Sequence, residues 1–483
     1  MKIYHWEKFV ILLLISLFNC SSHKESLSRE ESIADLKYLE RQIKNHYSYA
    51  SLYGINYSLE IQKLIARLDD ANKANYLAIE IHKLLAKFGD GHTKIVGLNE
   101  FFPSGYLPFK VEHCQEKVVC LKAHSNQLLD DEYPFLKAIN GISVEKLLKE
   151  SGKLIPDGSI QLQIQFSVSM LANIEYLLQQ LDAVSKDGLL QIELENEQGE
   201  THSKDLNQST KPLVSKEQRV MDILFLENRI LSENIGYLKI PSMLLADEDN
   251  VQETLAKMMS SLTDTRGLII DIRSNPGGSR DILRYLAPYF ISNDHDPIVA
   301  NVAAFRTDDQ IPNNEGYLDD RYLYPVTSNE FSENDRRVIQ KFTNQFIPEW
   351  KIPNKKFSQW HYFLVKPDHN IPHYNKPVVL LINSRCFSAA DIFAAAFKEL
   401  PNVTLVGTPT AGGSGRAQRY TLPNSGIEIK LSSMASFQPD GRLYDGNGVT
   451  PDIEVSLSLS NILENKDRQL EEAIELIRKS RHK

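Results

Sequence analysis

Cysteine is scarce in this chain. Four occur among 483 residues, at positions 20, 114, 120 and 386, with no C-x-x-C pair and no H-E-x-x-H. A metal site built from the chain's own side chains is therefore not expected. Positive charge is also in deficit: 54 Lys and Arg stand against 63 Asp and Glu, for a net charge of -9 and a pI near 5.9. That balance works against a phosphate backbone, so nucleic acid is set aside as a partner. There is no G-x-x-x-x-G-K-[ST] and no G-x-G-x-x-G, which removes the usual phosphate and dinucleotide loops and leaves no cofactor implied. No solenoid-type repeat is present. The longest apolar run near the start, Phe9 to Phe18, is too short to span a bilayer by itself. What is present is ordinary globular composition, 42% apolar and 24% charged. That suffices for a large core spread over roughly three folding units.

The beginning is set apart from the rest. Lys2, His5 and Lys8 precede the apolar run, and Cys20 follows in "LFNCSS". This resembles a bacterial lipoprotein signal ending at the cysteine to be acylated, although Asn19 stands where Gly, Ala or Ser is usual. The resemblance implies a signal over residues 1–20, a lipid on Cys20 and a place in the cell envelope on a membrane. Residues 21–32 then read as a polar tether. In "CQEKVVC" Cys114 and Cys120 flank a tight hairpin whose register need not set them opposite each other.

Between Ile33 and Phe88 apolar residues recur at spacings of three and four, which predicts helices and an N-terminal helical domain over 33–105. Short strands, the Asn140-Gly141 turn and a short helix follow, giving a small β insert over 106–150 and a connecting mixed segment over 151–215. From "NIGYLKIPSM" onward strands alternate with helices, so 216–460 reads as an α/β core, with a C-terminal helix over 461–483. Phe305 to Tyr374 reads as one long elaborated connection.

Four short pieces could carry chemistry. In "INSRCFSAADIF" Ser388 sits where an apolar strand gives way to an alanine-rich helix. It is either an N-cap in a capping box with Asp391 or a nucleophile at the positive end of the helix. "DIRSNPGG" runs from a buried-type strand into Gly277 and Gly278, whose amides can point outward at a ligand. His92 follows a helix stop in "GDGHT", and Asp445 lies among glycines in "DGNGVTPD". Singly, each fits a turn or a cap as well as a site.

Together and in order, these pieces resemble the S41 peptidases, the family of tail-specific or C-terminal processing proteases and the tricorn core. The resemblance implies a ClpP/crotonase-like α/β core with an N-terminal helical bundle and a PDZ-like insert. It implies Ser388 as nucleophile, Gly277, Gly278 and Ala389 at an oxyanion hole, and peptide or protein substrates. The family's base lysine falls at Gly413, with Ala417 in place of a nearby glutamine, which points to the tricorn-like branch with His92 as base and Asp445 behind it. Even there Gly91 replaces a serine, and Asp445 a glutamate. A histidine base predicts an acid limb of activity near the ordinary imidazole value of about 6.5. Two other readings remain open: a carrier of lipophilic ligands, like the similar interphotoreceptor retinoid-binding modules, and a peptide-binding scaffold. Oligomeric state is left open by the sequence.

Overall fold

The computed structural model describes residues 23–480 apart from 216–217, 219–220, 222, 245–249, 308–315, 354 and 464–465. The 1–20 signal and Cys20 lie outside the described residues. Regular structure begins earlier than the expected tether allows. Ser26–Ser28 pairs with Ala71–Lys73, and α1 (Arg29–His46) opens on a capping box in which Ser28 and Glu31 satisfy each other's amides. With α2 (Tyr57–Ala66) and α3 (Ala74–Ala86) it buries Leu36, Leu39, Ile43, Leu77, Ile81 and Leu85 in one core.

An antiparallel sheet follows, β1 (Lys110–Cys114), β2 (Lys117–Leu121), β3 (Phe135–Ile139), then α4 (Val144–Gly152), α5 (Ile160–Met170) and α6 (Ile174–Gln180), then β4 (Leu189–Glu195) and β5 (Thr201–Asn207). Its strands run in the order β1-β2-β3-β4-β5. Two strands thus come from the stretch expected to be a connection, because alternation such as "LLQIELE" pairs with β3 across the intervening helices. In the β1–β2 hairpin Cys114 faces Lys117 and Cys120 faces Val111, and Cys114, Cys120 and Cys386 are free thiols.

The second half is α/β. A sheet runs in the order β6 (Glu227–Leu231), β7 (Ile235–Lys239), β8 (Leu268–Asp271), β9 (Val378–Ile382), β10 (Val403–Gly407), β11 (Ile453–Glu454). Every neighbouring pair but β6–β7 is parallel. Helix α7 (Ala389–Lys398), buried from Ala389 to Phe397, packs on one face of this sheet and against the strand Ile298–Phe305 of a second, antiparallel sheet. On the other face Ala473 and Ile477 of α8 (Arg468–Lys479) cover Ile269, Val379, Leu381 and Val406. Strands buried on both sides read as continuous apolar runs, which "VVLLI" is. Because β8, β9 and β10 are parallel and adjacent, the loops leaving their C-terminal ends converge. Those loops carry Gly277, Ser388 and Gly413.

Gly407 closes β10 at φ 134°, and a Cβ there would lie 1.9 Å from the Ile382 carbonyl oxygen. Gly407→Ala should therefore cost roughly 3 kcal/mol or more, read as a lowered denaturation midpoint; an unchanged midpoint would show that β9 and β10 are not packed this closely.

Candidate active site

Ser388 stands at the N-cap of α7 with φ 61° and ψ -117°, and its hydroxyl makes no cap hydrogen bond. The capping reading of Ser388 thus gives way to a different arrangement. The Asp391 carboxyl does turn back, receiving the Gly412 amide at 3.1 Å and the Thr410 hydroxyl. Burial pushes it up to about 8, opposed by Thr410 and by the amides of Gly412, Ser388 and Gly413. One half of a capping box is present and the other is missing, which leaves Ser388 Oγ for another partner. A non-glycine residue at positive φ costs on the order of 1–3 kcal/mol. Such strained strand-to-helix turns are where exposed nucleophiles sit.

The partner is His92, whose Nε2 lies 3.1 Å from Ser388 Oγ. Several contacts fix the imidazole. Its backbone amide donates to Asp90 Oδ1 at 2.9 Å, its ring stacks on Phe387 with centroids 4.7 Å apart, and Gly415 passes so close that a Cβ there would sit 3.1 Å from His92 Cγ. Phe387 also accounts for both glycines that depart from the family pattern. A Cβ on Gly413 would come 2.3 Å from its ring, and one on Gly91 would come 2.7 Å from its tip. The ring fills the space in which a lysine at 413 or a serine at 91 would begin.

Asp445 is buried behind the imidazole but makes no hydrogen bond to it, contrary to the simplest triad. Its Oδ2 accepts from the Tyr49 hydroxyl at 2.8 Å and the Ser414 amide at 3.4 Å, while Oδ1 has no partner. Asp90, which reading "GDGHT" as a helix stop leaves unused, has Oδ1 4.0 Å from His92 Nδ1. Nδ1 is itself without a partner. Among the described residues Asp90, His92 and Asp445 form the one group of such side chains close enough to hold a metal ion, their nearest donor atoms within 4.8 Å. Their carboxylate oxygens already accept from Tyr49, Ser414, Thr93 and the His92 amide. Burial and the neighbouring Asp90 push the Asp445 carboxyl well up, and burial raises Asp90. Like charges this close do not both ionise in a dry site.

The expected oxyanion donors divide. Gly277 packs against the nucleophile, a Cβ there lying 2.7 Å from Ser388 Cβ and 2.9 Å from Ala389 N. Its amide, however, donates to Asn275 Oδ1 at 2.8 Å in a local turn, so it is taken. Among the described residues the Gly278 and Ala389 amides have no acceptor. Asn275 also donates to Ile240 O and accepts Phe387 N on its own carbonyl, tying the glycine loop to the serine loop. From the first half of the chain, Gln161 of α5 donates to Thr410 O at 2.7 Å and Asn447 O at 2.9 Å, bracing the loops that carry Asp445 and Gly413.

Residues 234–455 match the sequence model of peptidase family S41. Over that stretch, a little under half of its length, the chain is an S41 peptidase domain. It is 26% identical over 267 residues to an uncharacterized protein of Chlamydia muridarum, covering 48% of this chain and 42% of that one. It is 33% identical over 109 residues to a tricorn protease homolog of Saccharolobus solfataricus, covering 22% of this chain and 10% of that one. The chain thus spans about two fifths of the length of the chlamydial relative. Among solved structures, a serine-to-alanine variant of CPAF superposes with a TM-score of 0.67 at 16% identity, covering 93% of this chain and 98% of that one. That likeness shows a shared mixed α/β fold over most of the chain.

Burial, then Lys94, Arg321 and Lys430, push the His92 imidazole down to about 3. A base works while neutral, so activity falls only as pH drops through this lowered value. The acid limb of kcat/KM should accordingly lie below the ordinary imidazole value of about 6.5; a limb at 6–7 in a pH–rate profile would show that the surroundings do not lower His92. Gly413→Ala should displace Phe387 from His92 and lower kcat/KM about tenfold or more in a folded protein, as checked by circular dichroism and kinetics.

Proposed function

We propose that this protein is a serine endopeptidase that cleaves peptides or unfolded protein tails through an acyl-enzyme at Ser388. The contact of 3.1 Å between His92 Nε2 and Ser388 Oγ, at a helix start whose hydroxyl is not spent on capping, carries the reading. His92 in its Nδ1–H tautomer takes the Ser388 proton on Nε2 as Oγ attacks the scissile carbonyl. The developing oxyanion is met by the Ala389 amide, with Gly278 as the second donor. Removing one such donor typically costs on the order of 10²–10³ in rate. The imidazolium returns its proton to the leaving amine, and the same base then activates water to hydrolyse the ester. Asp90 and Asp445 stand behind the imidazole, where a single carboxylate stands in other serine hydrolases, and negative charge there favours the imidazolium.

Around this core, α1 to α3 serve as an N-terminal helical bundle and the β1–β5 sheet as a PDZ-like insert that presents substrate. The basic start and Cys20 support a lipid anchor at the cell envelope. No helix among the described residues is long and apolar enough to cross a membrane. One CPAF structure is a complex with lactacystin, and on this reading the same compound should protect Ser388 here from a fluorophosphonate.

Wild-type protein should be labelled by a fluorophosphonate at Ser388, and Ser388→Ala should abolish labelling and peptide hydrolysis while the denaturation midpoint stays level, since the hydroxyl caps no helix amide. His92→Ala should lower hydrolysis about 10³-fold or more. Hydrolysis by Ser388→Ala near the wild-type rate would sink the assignment.

A further inference from the structure

The chain is acidic overall, yet three cations, Lys94, Arg321 and Lys430, bear on His92. Behind Arg321 stands a second guanidinium in an unusual position. Arg280 is 3% exposed. Its Nη1 donates to the Arg321 carbonyl at 3.0 Å, and it lies over the Phe363 ring at 5.6 Å. Neither arginine has a carboxylate partner among the described residues. Asp320, whose charge is felt by both, is bound by Arg416, and Asp281, next to Arg280, accepts from Ser279 and Tyr322. The Nε atoms of Arg280 and Arg321 are both buried without an acceptor. Burial and the facing Arg321 push Arg280 down to about 9, and burial lowers Arg321. A buried cation facing another cation, with donors unspent, is destabilising unless an anion comes to it.

Position says which anion. Arg280 lies three residues beyond Gly277, which packs on Ser388. Arg321 is within electrostatic reach of His92, and Gly415, next to Arg416, touches the imidazole. An anion held by this pair belongs to a substrate residue close to the bond under attack.

We propose that Arg280 and Arg321 form a carboxylate-binding subsite, which takes an Asp or Glu side chain, or the free C-terminal carboxylate, of a peptide whose scissile bond lies at Ser388. The proposal rests on the peptidase reading. Planar guanidiniums with free Nε–H groups match carboxylates in two-point geometry.

The test uses the full chain carrying Ser388→Ala, so that binding is read without turnover. Fluorescent peptides in which one Glu, or its Gln replacement, is moved along the sequence are made with free and with amidated C-termini, and anisotropy gives Kd. At one position Glu should bind about tenfold tighter than Gln or better, by a margin that shrinks as salt rises. Arg321→Gln should erase that margin and leave the Gln peptide's affinity unchanged. A loss that follows amidation instead assigns the same subsite to the C-terminus. Arg280→Met should erase the margin as well, with a denaturation midpoint equal to or above that of the parent, since an unpaired buried charge is removed. Equal affinities for all forms, no measurable binding, or a margin that survives Arg321→Gln overturns the subsite. With wild-type protein, discrimination in binding but no hydrolysis sinks the peptidase reading alone, whereas equal kcat/KM for Glu and Gln peptides sinks the subsite alone.

Discussion

The backbone of Ser388 at φ 61° is the constraint on which the site depends. An ordinary helix start would turn the hydroxyl in to satisfy the second or third amide of α7. Here the chain is held out of that conformation from both sides. Asn275 O takes the Phe387 amide ahead of the serine, and the buried Asp391, braced by Thr410 and the 412–413 loop, stands against the Ser388 amide after it. The alanines of "AADIFAAAF" matter for the same reason. Small side chains let α7 lie flat between two sheets, and the rigidity of that packing supports the strain at its first residue.

A second consequence concerns the base. The space beside a serine nucleophile can hold a lysine from the 412–415 loop or a histidine from the α3 loop, but Phe387 makes the two exclusive. With the ring in place, Gly413 and Gly91 must lack side chains, and the imidazole gains an apolar face to stack on. The departures from the family pattern at these glycines are then one structural choice, made by a residue inside the nucleophile motif itself.

The parts of this site that could be read from the sequence are those where chemistry is tied to a local signal. Ser388 and Gly277 follow apolar strands, and His92 follows a helix stop; parallel β8 and β9 bring the first two together, and the pairing of Lys94–Ile95 with Glu428–Ser432 brings the third. Asp90 was within the same quoted motif and was hidden by its plausibility as turn chemistry. Arg280 and Arg321 carried no signal, since Arg321 lies in a stretch whose Pro and Asn content reads as a connection, and a charge is ordinarily solvated. The full extent of the β1–β5 sheet was hidden for a related reason. Its fourth strand pairs with β3 across some fifty residues, a long-range contact to which periodicity within one segment is blind.

His92 lies between charges of opposite sign, a carboxyl pair behind it and cations beside it. In the free protein burial, helped by the cations, wins, and the imidazole is a weak base that stays neutral far into acid. Weak basicity is a handicap at the moment of attack, when the ring must accept a proton from Ser388. A substrate carboxylate seated on Arg280 and Arg321 would cancel the nearest of those cations, raising the proton affinity of His92 only once the peptide is bound. In water an effect at that range would be screened, but in a site from which substrate has expelled solvent it is not. The same arginines would then select the substrate and strengthen the base, joining specificity to rate through one pair of side chains.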